Sequence, residues 1–129
     1  MSKTNAGYVD GFVLVVPKRK LAAYRKMAAA AGKVWRRYGA LDYKECLGDD
    51  LRPEMGGMQA SSFPKLTGLK RGETVFFSYI VYRSRAHRDA VNAKVMKDPL
   101  MGDPKNKNKP MPFDMRRFAW GGFKVVVDA

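Results

Sequence analysis

Apolar residues occupy both alternating faces of the stretch Glu73–Tyr82, and the rest of the chain must cover them. Val75, Phe77, Tyr79 and Val81 point one way. Phe76, Ile80 and Tyr82 point the other, and Ser78 is the polar exception. Aromatic and β-branched residues at this density predict a strand. A strand solvated on one side would alternate apolar with polar, so this one needs cover on both faces. Gly7–Val16 predicts a first strand of the same kind, closed by Pro17, with Asp10 the polar position on the face of Tyr8 and Phe12. From Lys18 to Tyr38 the period changes. Leu21, Tyr24, Ala28, Ala31, Trp35 and Tyr38 recur at spacings of three and four, which predicts a long helix stopped at Gly39.

Leu41–Gly48 alternates less cleanly. Tyr43, Glu45 and Leu47 share one face, and its charges suit an edge strand. Residues 49–72 hold six Gly and Pro positions and read as a mobile loop, with one helical turn near Ser62–Gly68 that Ser62 can cap. Ser84 predicts the cap of a second long helix, Arg85–Lys97, ended by Asp98-Pro99. Residues 99–112 form a basic connector, again expected to be mobile, as are residues 1–6. Arg116–Val127 predicts the last strand, where Gly121-Gly122 suggests a bulge or a close backbone approach.

The order β-α-β-β-α-β predicts a single domain of the α+β class, 1–129. It would be a ferredoxin-like fold, a four-stranded antiparallel sheet with two helices on one face. The first and third strands become the central pair, and these are the two with apolar residues on both faces. Two helices cover one face only. A second copy packed sheet to sheet would cover the other, so a homodimer forming a dimeric α+β barrel is expected.

Composition adds charge to this picture. The chain has 129 residues and a net charge of +13, with 46% hydrophobic and 29% charged residues, the balance of a globular domain. No apolar run approaches the ~20 residues of a membrane span, and the N-terminus lacks a secretory apolar region, so a cytoplasmic location is expected. One cysteine, Cys46, excludes an internal disulfide and reads as a buried, inert residue. A single histidine, His87, expected on the surface of its helix, leaves no protein-only zinc site.

Several short motifs occur in an order that resembles the YbaA-like bacterial family of unknown function. They are Tyr8-Val9-Asp10-Gly11-Phe12-Val13, Tyr38-Gly39-Ala40-Leu41, Ser62-Phe63-Pro64-Lys65, Glu73-Thr74-Val75-Phe76-Phe77-Ser78, Met96-Lys97-Asp98-Pro99 and Met111-Pro112-Phe113-Asp114. The resemblance runs from about Tyr8 to Val127 and implies a dimeric α+β barrel. It carries no established activity. Some members bear a label linking them to signal recognition particle RNA.

No stretch states a reaction or a cofactor. For a small ligand held in the barrel, the polar positions Asp10, Ser78, Asp114 and Arg116 are candidates, with Trp120 beside Ser78. Asp10 could act as a base, although a structural ion pair with Arg116 or Arg117 is the preferred reading. Met111–Asp114 reads as a rigid entry turn or as a cover over the barrel mouth. The alternative function is binding of RNA or an anionic surface. Arg25, Lys26, Lys33, Arg36 and Arg37 line the far side of the first helix, and no acidic residue lies between Gly11 and Leu41. Lysines 105, 107 and 109 would add to it. The aromatic residues of that helix fall on the core stripe and are unavailable for base stacking, which disfavours nucleic acid.

Overall fold

The computed structural model of the chain describes residues 5–54, 56–57, 60–103 and 110–129. Residues 1–4 and the connector lysines at 105, 107 and 109 lie outside the described residues. Strand β1 (Tyr8–Pro17) leads through a 3-10 turn (Lys18–Lys20) into helix α1 (Leu21–Arg37). Strand β2 (Asp42–Leu47), short helix α2 (Phe63–Thr67), strand β3 (Glu73–Tyr82), helix α3 (Arg85–Lys97) and strand β4 (Ala119–Lys124) follow. The strands form one antiparallel sheet in the order β2-β3-β1-β4. This is the ferredoxin-like βαββαβ arrangement, with β1 and β3 central.

Local chemistry fixes the element ends. The Ser62 hydroxyl accepts the Lys65 N–H and opens α2, and Gly68 closes it at φ 64°, a left-handed conformation that glycine adopts freely. The Ser84 hydroxyl accepts the His87 N–H and opens α3. Just beyond the end of helix α1, the Arg36 guanidinium donates to the carbonyls of Ala40 and Leu41.

The last strand is shorter than its sequence pattern. Asp114 accepts the Arg116 N–H and starts a 3-10 turn (Met115–Arg117), so pairing begins only at Ala119. From there β4 pairs regularly with β1, Gly121 opposite Gly11 and Gly122 opposite Asp10, without a bulge. The glycine at 122 serves a close approach instead, since a side chain there would collide with the Tyr8 ring.

The core under the helices falls into two clusters. One gathers Tyr8, Val34, Ile80, Tyr82, Val91 and Val95 beneath the C-terminal half of α1 and α3. The other gathers Leu14, Val16, Tyr24, Ala28 and Phe76 beneath the N-terminal half of α1. Phe12, in the middle of β1, packs against both. Its register partner on β3 is Ser78, so the core divides at the polar residue in the middle of that strand.

Candidate functional site

A cavity of about 780 Å³ lies where the core divides, between α1 and the middle of the sheet. Its helix wall is made of short side chains, Ala23, Ala28, Ala30 and Ala31, together with Lys26, Met27 and Trp35. Alanine leaves α1 standing off the sheet where longer residues would have filled the gap. Phe12 and Leu14 of β1, Tyr43 and Glu45 of β2, and Ser78 and Ile80 of β3 form the floor. Leu100, Met101, Met111, Phe113 and Phe118 close one side. A second cavity of about 430 Å³ lies on the other side of Tyr24 and Glu45, lined also by Leu21, Arg25, Gly32 and Leu47. Gly32 matters here, because any side chain at that position would press into the Tyr43 ring.

The polar centre of the larger cavity is Glu45. The Tyr24 hydroxyl donates to Glu45 Oε1 at 2.5 Å and lies 3.0 Å from Oε2. The Ser78 hydroxyl donates to Oε1 at 2.8 Å. Among the described residues Glu45 has no ion-pair partner. Burial raises its carboxyl above the usual range, and the two hydroxyl donors hold it part of the way back. Burial and the adjoining carboxylate push the Tyr24 phenol far upward, so it remains a donor. Tyr43 is raised by burial and by the charge of Glu45.

These shifts have a consequence for stability. A carboxyl raised in the folded state opposes folding wherever the unfolded chain would ionise it, and the penalty vanishes once pH falls below both values. Glu45→Gln is therefore expected to melt with the parent near pH 4 and several degrees above it near pH 8. Thermal denaturation across that range measures the gap, and a gap that shrinks with rising pH would contradict a strained Glu45.

Of the residues singled out in the sequence, Ser78 lies in this cavity and the other candidates for it do not. Asp10 is 1% exposed and pairs with Arg88 of α3, Oδ1 to Nη1 2.8 Å, in place of Arg116 or Arg117. Both arginines lie in the turn at 115–117. Asp114 caps that turn and accepts from Arg117 Nε at 2.8 Å, while Arg117 also forks onto Glu73 at 2.8 and 2.6 Å. This fork anchors the segment carrying Phe113 and Phe118, two cavity walls. Arg116 points to solvent, with 95% of its side chain exposed. Trp120 is 55% exposed and stacks on Phe12 at 6.3 Å, outside the cavity lining.

On α1, Arg25 and Lys26 border the smaller and the larger cavity respectively, and Lys33 is exposed. Arg36 is occupied at the helix end, and Arg37 pairs with Asp98 at 3.1 Å. Cys46 is exposed, because β2 is an edge strand and the residue lies on the face without helices. His87 is half-buried, its Nδ1 accepting the Arg83 N–H at 2.9 Å and its ring edge-on to Tyr82. Among the described residues no three His, Cys, Asp or Glu side chains gather as a metal site requires, and no helix is long and apolar enough to cross a membrane.

Glu45 and Tyr24 were the residues that sequence reasoning passed over. The available signals were an acid sharing a face with Tyr43 and Leu47, and the run Ala28–Ala31 facing it from α1.

Comparison with known proteins places this geometry in a family context. A solved structure described as a dimeric ferredoxin-like protein, from an uncultured marine organism, superposes with a TM-score of 0.53. It shares 13% sequence identity and is matched over 95% of this chain and 99% of that one, a likeness of fold. "Uncharacterized protein YbaA" of Escherichia coli strain K12 is 41% identical over 121 residues, 94% of this chain and 97% of the relative. The protein of the same description in Shigella flexneri matches to the same extent. The family model described as "protein of unknown function (DUF1428)" matches residues 7–115, and with the identity to YbaA this establishes that the chain belongs to the DUF1428 family.

Proposed function

We propose that this chain is a homodimer whose protomers each bind a small, largely apolar organic molecule in the cavity between α1 and the sheet. The observation that carries this reading is Glu45, a single acidic group held by Tyr24 and Ser78 inside about 780 Å³ of mainly aliphatic and aromatic lining. That volume falls within the range of pockets for small organic ligands, and one fixed polar group among apolar walls is how such pockets orient their occupants. Lys26 on the same lining favours an occupant with an anionic end. The outer sheet face supports the dimer, since Phe77 and Phe123 there stay about half exposed, and the neighbour of like fold is described as dimeric. The competing reading, RNA or an anionic surface on α1, is weakened because Arg36 and Arg37 are already engaged within the chain.

The test uses 2-naphthoate, a flat apolar body with one carboxylate. Trp35 lines the cavity, so in a Trp120→Phe background its fluorescence reports occupancy. Saturable binding of one molecule per protomer is expected, and Ala31→Phe, which fills the cavity from the helix side, should weaken it at least tenfold. Undiminished binding in Ala31→Phe, or no saturable binding in the parent, would overturn the reading.

A further inference from the structure

The inward acids of this protein divide into two kinds. Asp10, Glu73 and Asp98 each face a guanidinium, from Arg88, Arg117 and Arg37. Glu45 faces none among the described residues and is held by two neutral hydroxyls. A carboxylate whose work is structural gains from a fixed cation. A carboxylate that must take up a proton and release it loses by one, because the cation holds it ionised. The hydrogen bonds are also unevenly shared. Oε1 receives Tyr24 at 2.5 Å and Ser78 at 2.8 Å, whereas Oε2 has only the longer contact of 3.0 Å to Tyr24. One oxygen has two close donors and the other keeps spare accepting capacity, on a residue that lines the cavity.

We infer that Glu45 is the proton acceptor in the enolisation of a 2-oxo acid with an apolar body, an inference that rests on the binding reading above. In this step Glu45 Oε2 removes a proton from the carbon beside the ligand's carbonyl. The C–H electron pair becomes the C=C bond, and the carbonyl π pair moves onto oxygen. The protonated Glu45 then returns the proton to that oxygen, giving the enol, and the reverse path restores the ketone. Atoms and electrons balance with no oxidant or reductant. Tyr24 and Ser78 keep Oε1 in place through both states. Lys26 receives the carboxylate of the ligand, and the rings of Phe12, Trp35 and Tyr43 receive its apolar body.

Phenylpyruvate is the probe, with deuterium uptake at its methylene carbon followed by NMR in heavy water. The protein is expected to accelerate uptake over buffer, with the rate falling as pH drops and Glu45 is protonated. Glu45→Gln should lose about 10²–10⁴-fold of that acceleration while remaining folded by circular dichroism. Tyr24→Phe removes a donor to the charged carboxylate, so its acidic limb should move to higher pH. Acceleration retained by Glu45→Gln, or phenylpyruvate bound by the parent without acceleration, would overturn the proton-transfer role and leave the binding reading standing. Binding of 2-naphthoate without phenylpyruvate would overturn the 2-oxo acid class, and binding of neither would overturn both.

Discussion

Asp10→Ala is expected to lower the unfolding free energy by about 3–5 kcal/mol, a large share of the stability of a domain this size. Its partner Arg88 has 11% of its side chain exposed, and the guanidinium lies over the Tyr8 ring, 5.1 Å from the centroid. Without Asp10 this charge would keep only Asp89 beside it, which is itself largely exposed. Burial moves the Asp10 carboxyl above its ordinary range despite the attraction of Arg88, so the pair does not fully offset the cost of enclosing it. Acidification should therefore not remove a stabilising contribution from Asp10, because a raised carboxyl favours the folded state at low pH. The same imbalance predicts that Asp10→Leu with Arg88→Met together will recover most of the loss. Urea denaturation of the two single variants and the double variant measures this. A single variant costing under about 1 kcal/mol, or a double variant worse than either single, would show the pair to be unimportant.

How much of this was legible in the chain depends on the range over which each feature is decided. Strand β3 and helix α1 announce themselves by period, because their burial pattern is set within ten to twenty residues. Ser62 and Ser84 were readable as caps, since a cap is a contact over three residues. Asp114 was not, because its bond to the next backbone N–H but one converts an apparent strand start into a turn, and alternation alone carries no trace of that. The partner of Asp10 was out of reach for a different reason. Arg88 is 78 residues away, on a helix whose apolar pattern is too weak to show which side meets the sheet. The candidate site was half legible. Ser78 interrupts β3 visibly, but Glu45 has the same appearance as a charge guarding an edge strand, and only the standoff of α1 over Ala28–Ala31 separates the two.

The outer face of the sheet carries the other large prediction, loss of the proposed dimer in Phe77→Glu with Phe123→Glu. Register sets side chains on this face in rows across the strands. Cys46, Phe77, Val13 and Ala119 form one row, and Val81, Val9 and Phe123 belong to another. Between them Gly11 faces Gly121, and the Phe123 ring reaches over both glycines. Phe77 is 47% and Phe123 62% exposed in the single chain, so both have area to lose against a partner. A two-fold interface uses each residue twice. Burying the exposed half of four phenylalanines, at about half of the 1.5–3 kcal/mol that full burial gives each, contributes roughly 3–6 kcal/mol, a large part of the free energy of a micromolar dimer, about 8 kcal/mol. Four carboxylates in their place would also repel one another. Sedimentation velocity at micromolar protein should find the parent at twice the chain mass and the variant at one chain mass. A monomeric parent would mean that something other than a second copy covers this face. Because Phe77 and Phe123 lie on the side of the sheet opposite Glu45, the monomeric variant should still bind 2-naphthoate within about threefold of the parent. A variant that is folded and monomeric but no longer binds would instead show that the partner protomer completes the cavity.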